Sequence, residues 1–360
     1  MNWIFLLAFS ALGYGSMMAG TVQRPQPTFT EWHDQQVNEV NRFPVHTAFF
    51  PYLSDEEMKA GNPQKAANYL SLEGLWKFRW VANADERPTD FFRADYDDRA
   101  WKELAVPAIW EMNGYGQPEY LNIGFAWRGH FKNNPPMVPT KDNHVGSYRR
   151  TIDIPESWRG RQVIAHFGSV TSNIYLWVNG RFVGYAEDSK VVAEFDLTPY
   201  LHSGRNLIAF QTFRWCDGSY DEDQDFWRLS GVARHCYLYA QDASHHIDDL
   251  RLTPGLDDSY RDGTLHIAAK TMGEGLLTFS LLAADGSLVA EKQVATAKGD
   301  SQLSTDMTVA NPKKWTAETP YLYILRVRLT DRQGKTLYEA TRQNVGFRRV
   351  EIKNGQLLVN

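Results

Sequence analysis

Five carboxylates, Asp217, Asp221, Glu222, Asp223 and Asp225, share the stretch RWCDGSYDEDQDFWRLSG (Arg214 to Gly231) with Trp215, Tyr220, Phe226 and Trp227. Solvated acidic linkers are poor in aromatics, so rings this close to charges suggest a surface built to stack and hydrogen-bond a polar ligand. A sugar fits that chemistry. A pyranose presents apolar C–H faces to rings and hydroxyls to carboxylates, and clustered carboxylates also hold hard cations. The competing reading is a loop neutralised by Arg214 and Arg228.

The elements that must carry this loop are strands. From Leu70 onward, short runs rich in Val, Ile, Tyr, Phe and Trp alternate with turn residues, and helical periodicity is nearly absent. In IYLWVNGRFVGY (Ile174 to Tyr185), Asn179-Gly180 supplies the two positive-φ positions of a type I′ hairpin. Further strands are expected at Gly146 to Ile154, Arg161 to Val170, Asn206 to Phe213 and Arg234 to Ala240, the count and spacing of a sandwich or jelly roll. The texture changes near Gln241 to Ile247, since nine of the twelve tryptophans lie between Trp76 and Trp227 and only Trp315 lies beyond. About seven strand candidates follow, which suits an immunoglobulin-like sandwich without the Cys…Trp…Cys pattern of antibody domains. The fold class is therefore all-β, and the expected division is 21–69 as a wrapping segment, 70–241 as the first β domain, 242–347 as the second and 348–360 as a final hairpin. The wrapping segment is Pro-rich, with one short helix in DEEMKAGNPQKAANYL interrupted by Gly61 and Pro63.

Composition narrows the function. The 360 residues are 43% hydrophobic and 22% charged with a net charge of −5, which gives a real core and no electrostatic footprint for nucleic acid or anionic lipid. Residues Trp3 to Gly15 form an apolar stretch too short to span a bilayer comfortably, so 1–20 reads as a secretory signal peptide and the location as periplasmic or secreted. Two cysteines, Cys216 and Cys236, exclude a disulfide scaffold, and buried free thiols are the expected state, with a single bridge as the alternative. His245-His246 reads as an exposed pair in a linker, while Trp76, Trp80 and Trp110 read as core.

Taken together, the acidic-aromatic loop, VPAIWEMNGYGQPEYLN (Val106 to Asn122), NNPPMVPT (Asn133 to Thr140), LWVNGRFVGYAEDSK (Leu176 to Lys190), NPKKWTAETPYLY (Asn311 to Tyr323) and VGFRRVEIKNGQLLVN resemble the N-terminal half of the β-galactosidases of glycoside hydrolase family 2. The resemblance runs in order from about Trp32 to Asn360. It implies a sugar-binding jelly roll, an immunoglobulin-like domain and then a TIM barrel that carries both catalytic glutamates. The final hairpin is the segment that leads into that barrel in the family, so no catalytic residue is assigned here and this stretch is expected to be inactive alone. A retaining glycosidase needs two carboxyls about 5 Å apart across the scissile bond, and the loop acids are not given that role.

By position, the resemblance implies that Asn122 and Asp225 contact galactose, with Asp225 also holding a sodium ion. For Asp225 the competing reading is a salt bridge to Arg228. A peripheral magnesium site in the family corresponds to Glu31, Asp34, Val37, Glu187 and Asp217, with Asp34 where Asn is usual and Glu187 where Gln is usual, giving a more acidic cluster. The remaining acids, Asp221, Glu222 and Asp223, are expected to shape the turn. The implied partners are a galactoside and the C-terminal catalytic domain, with a homo-oligomer left open; no membrane span is expected. The alternatives are a standalone carbohydrate-binding protein, or a β-glucuronidase or β-mannosidase of the same family.

Overall fold

The computed structural model describes residues 26–129 and 131–360; the signal-peptide reading of residues 1–20 lies outside them. Among the described residues no helix is long and apolar enough to cross a membrane. The chain is all-β, built as two antiparallel sandwiches in series with an N-terminal strap laid across both.

The first sandwich faces a seven-stranded sheet against a four-stranded one. The larger runs in the order Glu39–Val40, Arg181–Ala186, Ile174–Val178, Gly204–Phe213, Val145–Ile154, Gly74–Val81, Lys102–Val106. The smaller runs Ala193–Asp196, Gln162–Phe167, Cys236–Gln241, Tyr69–Ser71. The Ile174–Val178 and Arg181–Ala186 hairpin turns at Asn179 (φ 51°) and Gly180 (φ 79°), the left-handed pair that a type I′ turn demands. All five residues of Ile174–Val178 are buried, because the sheet has a core on each face. Ile174, Leu176 and Val178 point between the two sheets with Trp76, Trp110 and Phe210, whereas Tyr175 and Trp177 point the other way into a second cluster with Trp32, Phe91, Trp127 and Trp215. Trp80, expected in the core, is only partly buried against it.

The second sandwich pairs His246–Leu256, Gly263–Met272 and Asp300–Val309 in one sheet with Leu288–Ala295, Leu276–Leu282, Tyr323–Thr330 and Leu337–Val345 in the other. The Gly263–Met272 strand alternates buried and exposed residues, as expected of a sheet with one solvated face. Its first strand begins at His246, which corrects the reading of His245-His246 as an exposed linker pair. His246 is buried beside Asp248 and the His245 ring stacks on Tyr338 at 4.0 Å, so both imidazoles pack against the sandwich.

The strap reaches further than the first sandwich. Glu39–Val40 adds an edge strand to Arg181–Ala186, then Tyr52 bridges to Ala340 of the second sandwich, and Phe50, Tyr52 and Met58 share a cluster with Ile164, Tyr239 and Ala340. The helix within it covers only Asp55–Ala60: Ser54 Oγ accepts from the Glu57 N–H at 3.2 Å to start it, and Gly61 (φ 64°) ends it. The closing hairpin, Val350–Lys353 with Gln356–Val359, turns at Asn354 and Gly355, both at positive φ.

Candidate functional site

The acidic-aromatic loop leaves the long Gly204–Phe213 strand and splits into parts with different surroundings. Trp215 and Tyr220 turn inward. Trp215 meets Trp127 edge-on at 5.5 Å, and Tyr220 packs edge-on against Phe125 and Trp127 while its hydroxyl donates to the Met137 carbonyl at 2.7 Å. Both rings pack against the aromatic cluster around Trp127. Glu222 accepts from the Ser189 N–H at 2.8 Å and from its hydroxyl at 2.5 Å, and Asp223 pairs with Arg228, so both acids fix the turn. Asp221 is exposed at the turn, its N–H donating to the Gly218 carbonyl at 3.0 Å.

The salt bridge weighed for Asp225 is thus taken by its neighbour Asp223. Asp225 instead accepts a 2.5 Å hydrogen bond from the hydroxyl of Tyr120. The origin of that contact is a short antiparallel ribbon in which Phe226–Arg228 pairs with Glu119–Leu121, in the register Phe226 to Leu121, Trp227 to Tyr120 and Arg228 to Glu119. Arg214, held over the Trp215 ring at 5.0 Å, anchors the ribbon through a 3.0 Å bond to Glu119.

Asn122 and Asp225 flank the last pair of the ribbon, Asn122 following Leu121 and Asp225 preceding Phe226, each in a bend. The two are 103 positions apart in the chain (225 minus 122), and both are exposed. Tyr120 and Trp227 are cross-strand partners, and the bond from Tyr120 holds Asp225 beside them. A carboxylate, a phenol and an indole side by side can accept from and donate to hydroxyls while offering apolar rings. Tyr120 was not singled out from sequence; its only signal was its place two residues before Asn122. The bond to Asp225, with that carboxylate's charge, raises the phenol's pKa and so keeps its proton available for donation.

The second candidate cluster lies deeper. The single turn Glu31–His33 packs against the turn Asp217–Tyr220, which places Glu31, Asp34, Glu187 and Asp217 around the buried phenols Tyr175 and Tyr185. Glu31 accepts from Tyr175 at 2.9 Å and Glu187 accepts from Tyr185 at 2.5 Å. Val37 sits at the edge, its N–H donating to the Asp34 carbonyl at 2.8 Å. Glu187, Cys216 and Asp217 are all buried, with one potential ligand atom of each within 4.8 Å of the others. Asp217 Oδ1 has no hydrogen-bond partner, and among the described residues neither Glu187 nor Asp217 pairs with a lysine or arginine. Burial, together with the charge of Asp217, pushes the Glu187 carboxyl up to about 9, far from where a solvated glutamate titrates. A buried orphan carboxylate oxygen facing a second carboxyl is the chemistry that a divalent cation relieves. Cys216 belongs to this cluster although sequence reading gave it only a packing role. It and Cys236 are both free and buried.

Two family models match the chain: the sugar-binding domain of glycosyl hydrolases family 2 over residues 69–242, and glycosyl hydrolases family 2 over residues 245–348. A β-galactosidase of Priestia megaterium is 37% identical over 347 residues, which cover 93% of this chain and 33% of that protein. That of Halalkalibacterium halodurans is 38% identical over 331 residues, covering 91% and 32%. The chain thus spans about a third of the length of these relatives. Among solved structures, a Bacteroides uniformis β-glucuronidase matches with a TM-score of 0.65 at 20% identity, covering 81% of this chain and 34% of that one. A Bifidobacterium dentium β-glucuronidase matches with a TM-score of 0.63 at 20% identity, covering 83% and 51%. At that identity the likeness is one of fold.

Proposed function

The chain belongs to glycoside hydrolase family 2, and from that premise we propose that it forms the non-catalytic N-terminal part of a β-galactosidase, supplying one wall of the galactose pocket. What supports this reading is the end of the ribbon, where Asn122 and Asp225 flank the last strand pair, both are exposed, and Asp225 accepts from Tyr120. Asn122 offers an amide donor and acceptor to vicinal hydroxyls, and the Asp225 carboxylate, oriented by Tyr120, accepts from a third or shares a sodium ion with the sugar. The acids of the loop are committed to the turn, to Arg228, to Tyr120 or to the buried cluster, which leaves no pair poised as nucleophile and proton donor across a bond. The retaining chemistry of the family then belongs to a barrel beyond these residues, completed by a partner domain in the whole enzyme.

Of Glu31, Asp34, Val37, Glu187 and Asp217, only Glu187 and Asp217 lie, with Cys216, close enough to share one ion, and the orphan Asp217 Oδ1 supports magnesium there as the clearest donor. The ion would supply positive charge between buried carboxylates and tie the N-terminal segment to the acidic loop.

Amide spectra of the chain titrated with methyl β-D-galactoside test the wall reading. Shifts at Asn122 and Asp225 that vanish in Asp225→Ala, with none from methyl β-D-glucuronide, are expected. Hydrolysis of a chromogenic β-galactoside by the purified chain, with contaminating enzyme excluded, would overturn it, as would galactoside shifts indifferent to Asp225→Ala.

A further inference from the structure

Beneath the acidic loop lies a cavity of about 60 Å³, walled by Ser219, Glu222, Asp223 and Arg228 of the loop and by Thr171, Lys190 and Arg214. Its wall is rich in donors. Arg214, 5% exposed, gives its two terminal nitrogens to Glu119 at 3.0 Å and to His144 at 3.4 Å, and its Nε–H has no partner. Arg228 gives a terminal nitrogen to Asp223, and its buried Nε–H is likewise unpartnered. Ser219 Oγ accepts from the Cys216 N–H at 3.1 Å and Thr171 Oγ1 accepts from the Lys190 ammonium at 3.3 Å, so each hydroxyl keeps its own hydrogen to donate. The carboxylates of the wall are engaged elsewhere: Glu222 accepts from the Ser189 N–H and hydroxyl, and Asp223 from the Arg228 terminal nitrogen. Three cationic side chains against two carboxylates leave the wall one positive charge in excess (3 minus 2). Glu119, which pairs with Arg214, is not part of the wall and is 41% exposed, where water screens it.

We infer that this cavity binds a small monatomic anion of the chloride class, held by the Nε–H groups of Arg214 and Arg228 and by the Thr171 and Ser219 hydroxyls. A buried charged donor left unpaired is costly, and an anion relieves two of them at once while cancelling the excess charge. The shape of the donor set selects the ion. Carboxylates and oxyanions are taken by two parallel N–H groups of one guanidinium, whereas Arg214 has a single N–H left to give. A spherical ion collects one bond from each of several donors. The space exceeds the ~10–15 Å³ that a single water needs, and it falls far short of the ~300 Å³ of a typical small-molecule pocket. The site is separate from the wall reading given above and does not depend on it. Arg214 stands where the chain enters the loop and Arg228 near where it leaves, so one ion shared by both closes the loop at its base without touching Asp225.

Chlorine-35 NMR of the chain in sodium chloride tests the site. The chain is expected to broaden the chloride line, and added bromide to reverse the broadening where an equal concentration of gluconate does not. Thr171→Val keeps the shape and removes a donor; Lys190→Gln removes a charge. Thr171 is half-buried and Lys190 exposed, so both variants should fold. Each should weaken chloride binding about threefold to tenfold, the range of one hydrogen bond to an ion, while Lys190's counterpart control, Lys353→Gln on the exposed closing hairpin, should leave it unchanged. Anomalous diffraction from crystals of the chain grown in bromide is expected to show a peak between the two Nε atoms. The proposal is overturned by an absence of protein-dependent broadening, by broadening that Thr171→Val and Lys190→Gln leave unchanged, or by bromide peaks that lie only elsewhere on the chain.

Discussion

Glu194 is a buried carboxylate gripped from two sides, and its grip on the N-terminal strap should be measurable. His46, on the strap, approaches it at 2.9 Å and His166, on the neighbouring strand, at 2.7 Å, while the Tyr239 hydroxyl lies at 3.3 Å. Burial alone would lower the His46 pKa, but the hydrogen bond and charge of Glu194 outweigh it and raise the imidazole to about 9. Burial alone would raise Glu194, yet His166 and His46 pull it down to about 2. Each shift is about 2.5 units, or about 3 kcal/mol at ~1.36 kcal/mol per unit. The two figures count the same interaction and do not add. Because the folded pKa of His46 is raised, its contribution is fully present below about 6.5 and is lost as pH rises through about 9. Because that of Glu194 is depressed, its contribution is present above about 4.5 and is lost as pH falls through about 2. The clasp is therefore complete between about pH 4.5 and 6.5. Discounting for the 22% exposure of the His46 side chain, His46→Gln should destabilise the first sandwich by about 2 kcal/mol at pH 6 and by less than about 0.5 kcal/mol at pH 10. Urea unfolding followed by tryptophan fluorescence isolates that sandwich, since nine of the twelve tryptophans lie between Trp76 and Trp227. A wild-type minus His46→Gln difference that is the same at both pH values would refute the reasoning.

Three further outcomes follow from the packing and the buried cluster. Magnesium should add as much as ~2.7 kcal/mol to the unfolding free energy at a hundredfold excess over Kd, seen as a raised melting temperature. Because Glu187 titrates near 9, binding at pH 7.5 should also release a proton, seen calorimetrically as a heat that depends on the buffer; no buffer dependence, or an unaltered response in Glu187→Gln, would count against the assignment. Gly146→Ala would place a Cβ 2.3 Å from Trp110 and 2.9 Å from Phe78, so a loss of about 1–3 kcal/mol or more is expected, and an unchanged melting temperature would show that the core yields. Cys216 and Cys236, both buried and with burial raising their pKa values, should ignore a thiol reagent in the native protein at pH 8 and both react in denaturant; a rapid native reaction or missing thiols would contradict the free, buried state.

Local chemistry was readable where the backbone dictates it. Asn179-Gly180 names its own turn, and Gly61 with Pro63 cuts a helical run to the six residues Asp55–Ala60. What the period of two cannot tell is what covers each face. Ile174–Val178 reads as an ordinary strand, yet it is buried on both sides because loops bring Trp32, Phe91 and Trp127 over its outer face. The same limit applies to the rings of the acidic loop. Sequence placed Trp215, Tyr220 and Trp227 on equal terms, but only register with Glu119–Leu121 leaves Trp227 outside, and only that register finds Tyr120 as the partner of Asp225. Pairings between distant segments decided the rest: Arg228 takes Asp223, and the strap crosses to Ala340. The candidates Asn122 and Asp225 came from a resemblance to a family, and the ribbon adds that they flank its last strand pair.

The order of the five acids along the loop separates the buried Asp217 turn from the exposed Asp225. Asp217 is fixed first, in a turn whose other side is the N-terminal segment, so any ligand relieving its orphan oxygen also pins the loop's start. Glu222 then ties the middle of the loop to Ser189, and Asp223 ties it to Arg228 within the ribbon itself. Asp225, the last, is the one acid of the five set on the exposed ribbon face, where its bond to Tyr120 fixes its direction. Between the buried acids at Asp217 and the exposed Asp225 there are thus two tethers, each a carboxylate that accepts from a defined donor. Removing either should blur the position of Asp225 without touching it. Glu222→Gln, which keeps the shape and weakens the acceptor, should therefore lower galactoside affinity while leaving the buried cluster's response to magnesium in place. Loss of both together would mean that the loop moves as one rigid piece, and retention of both would mean that the ribbon is held by Arg214 and Glu119 alone.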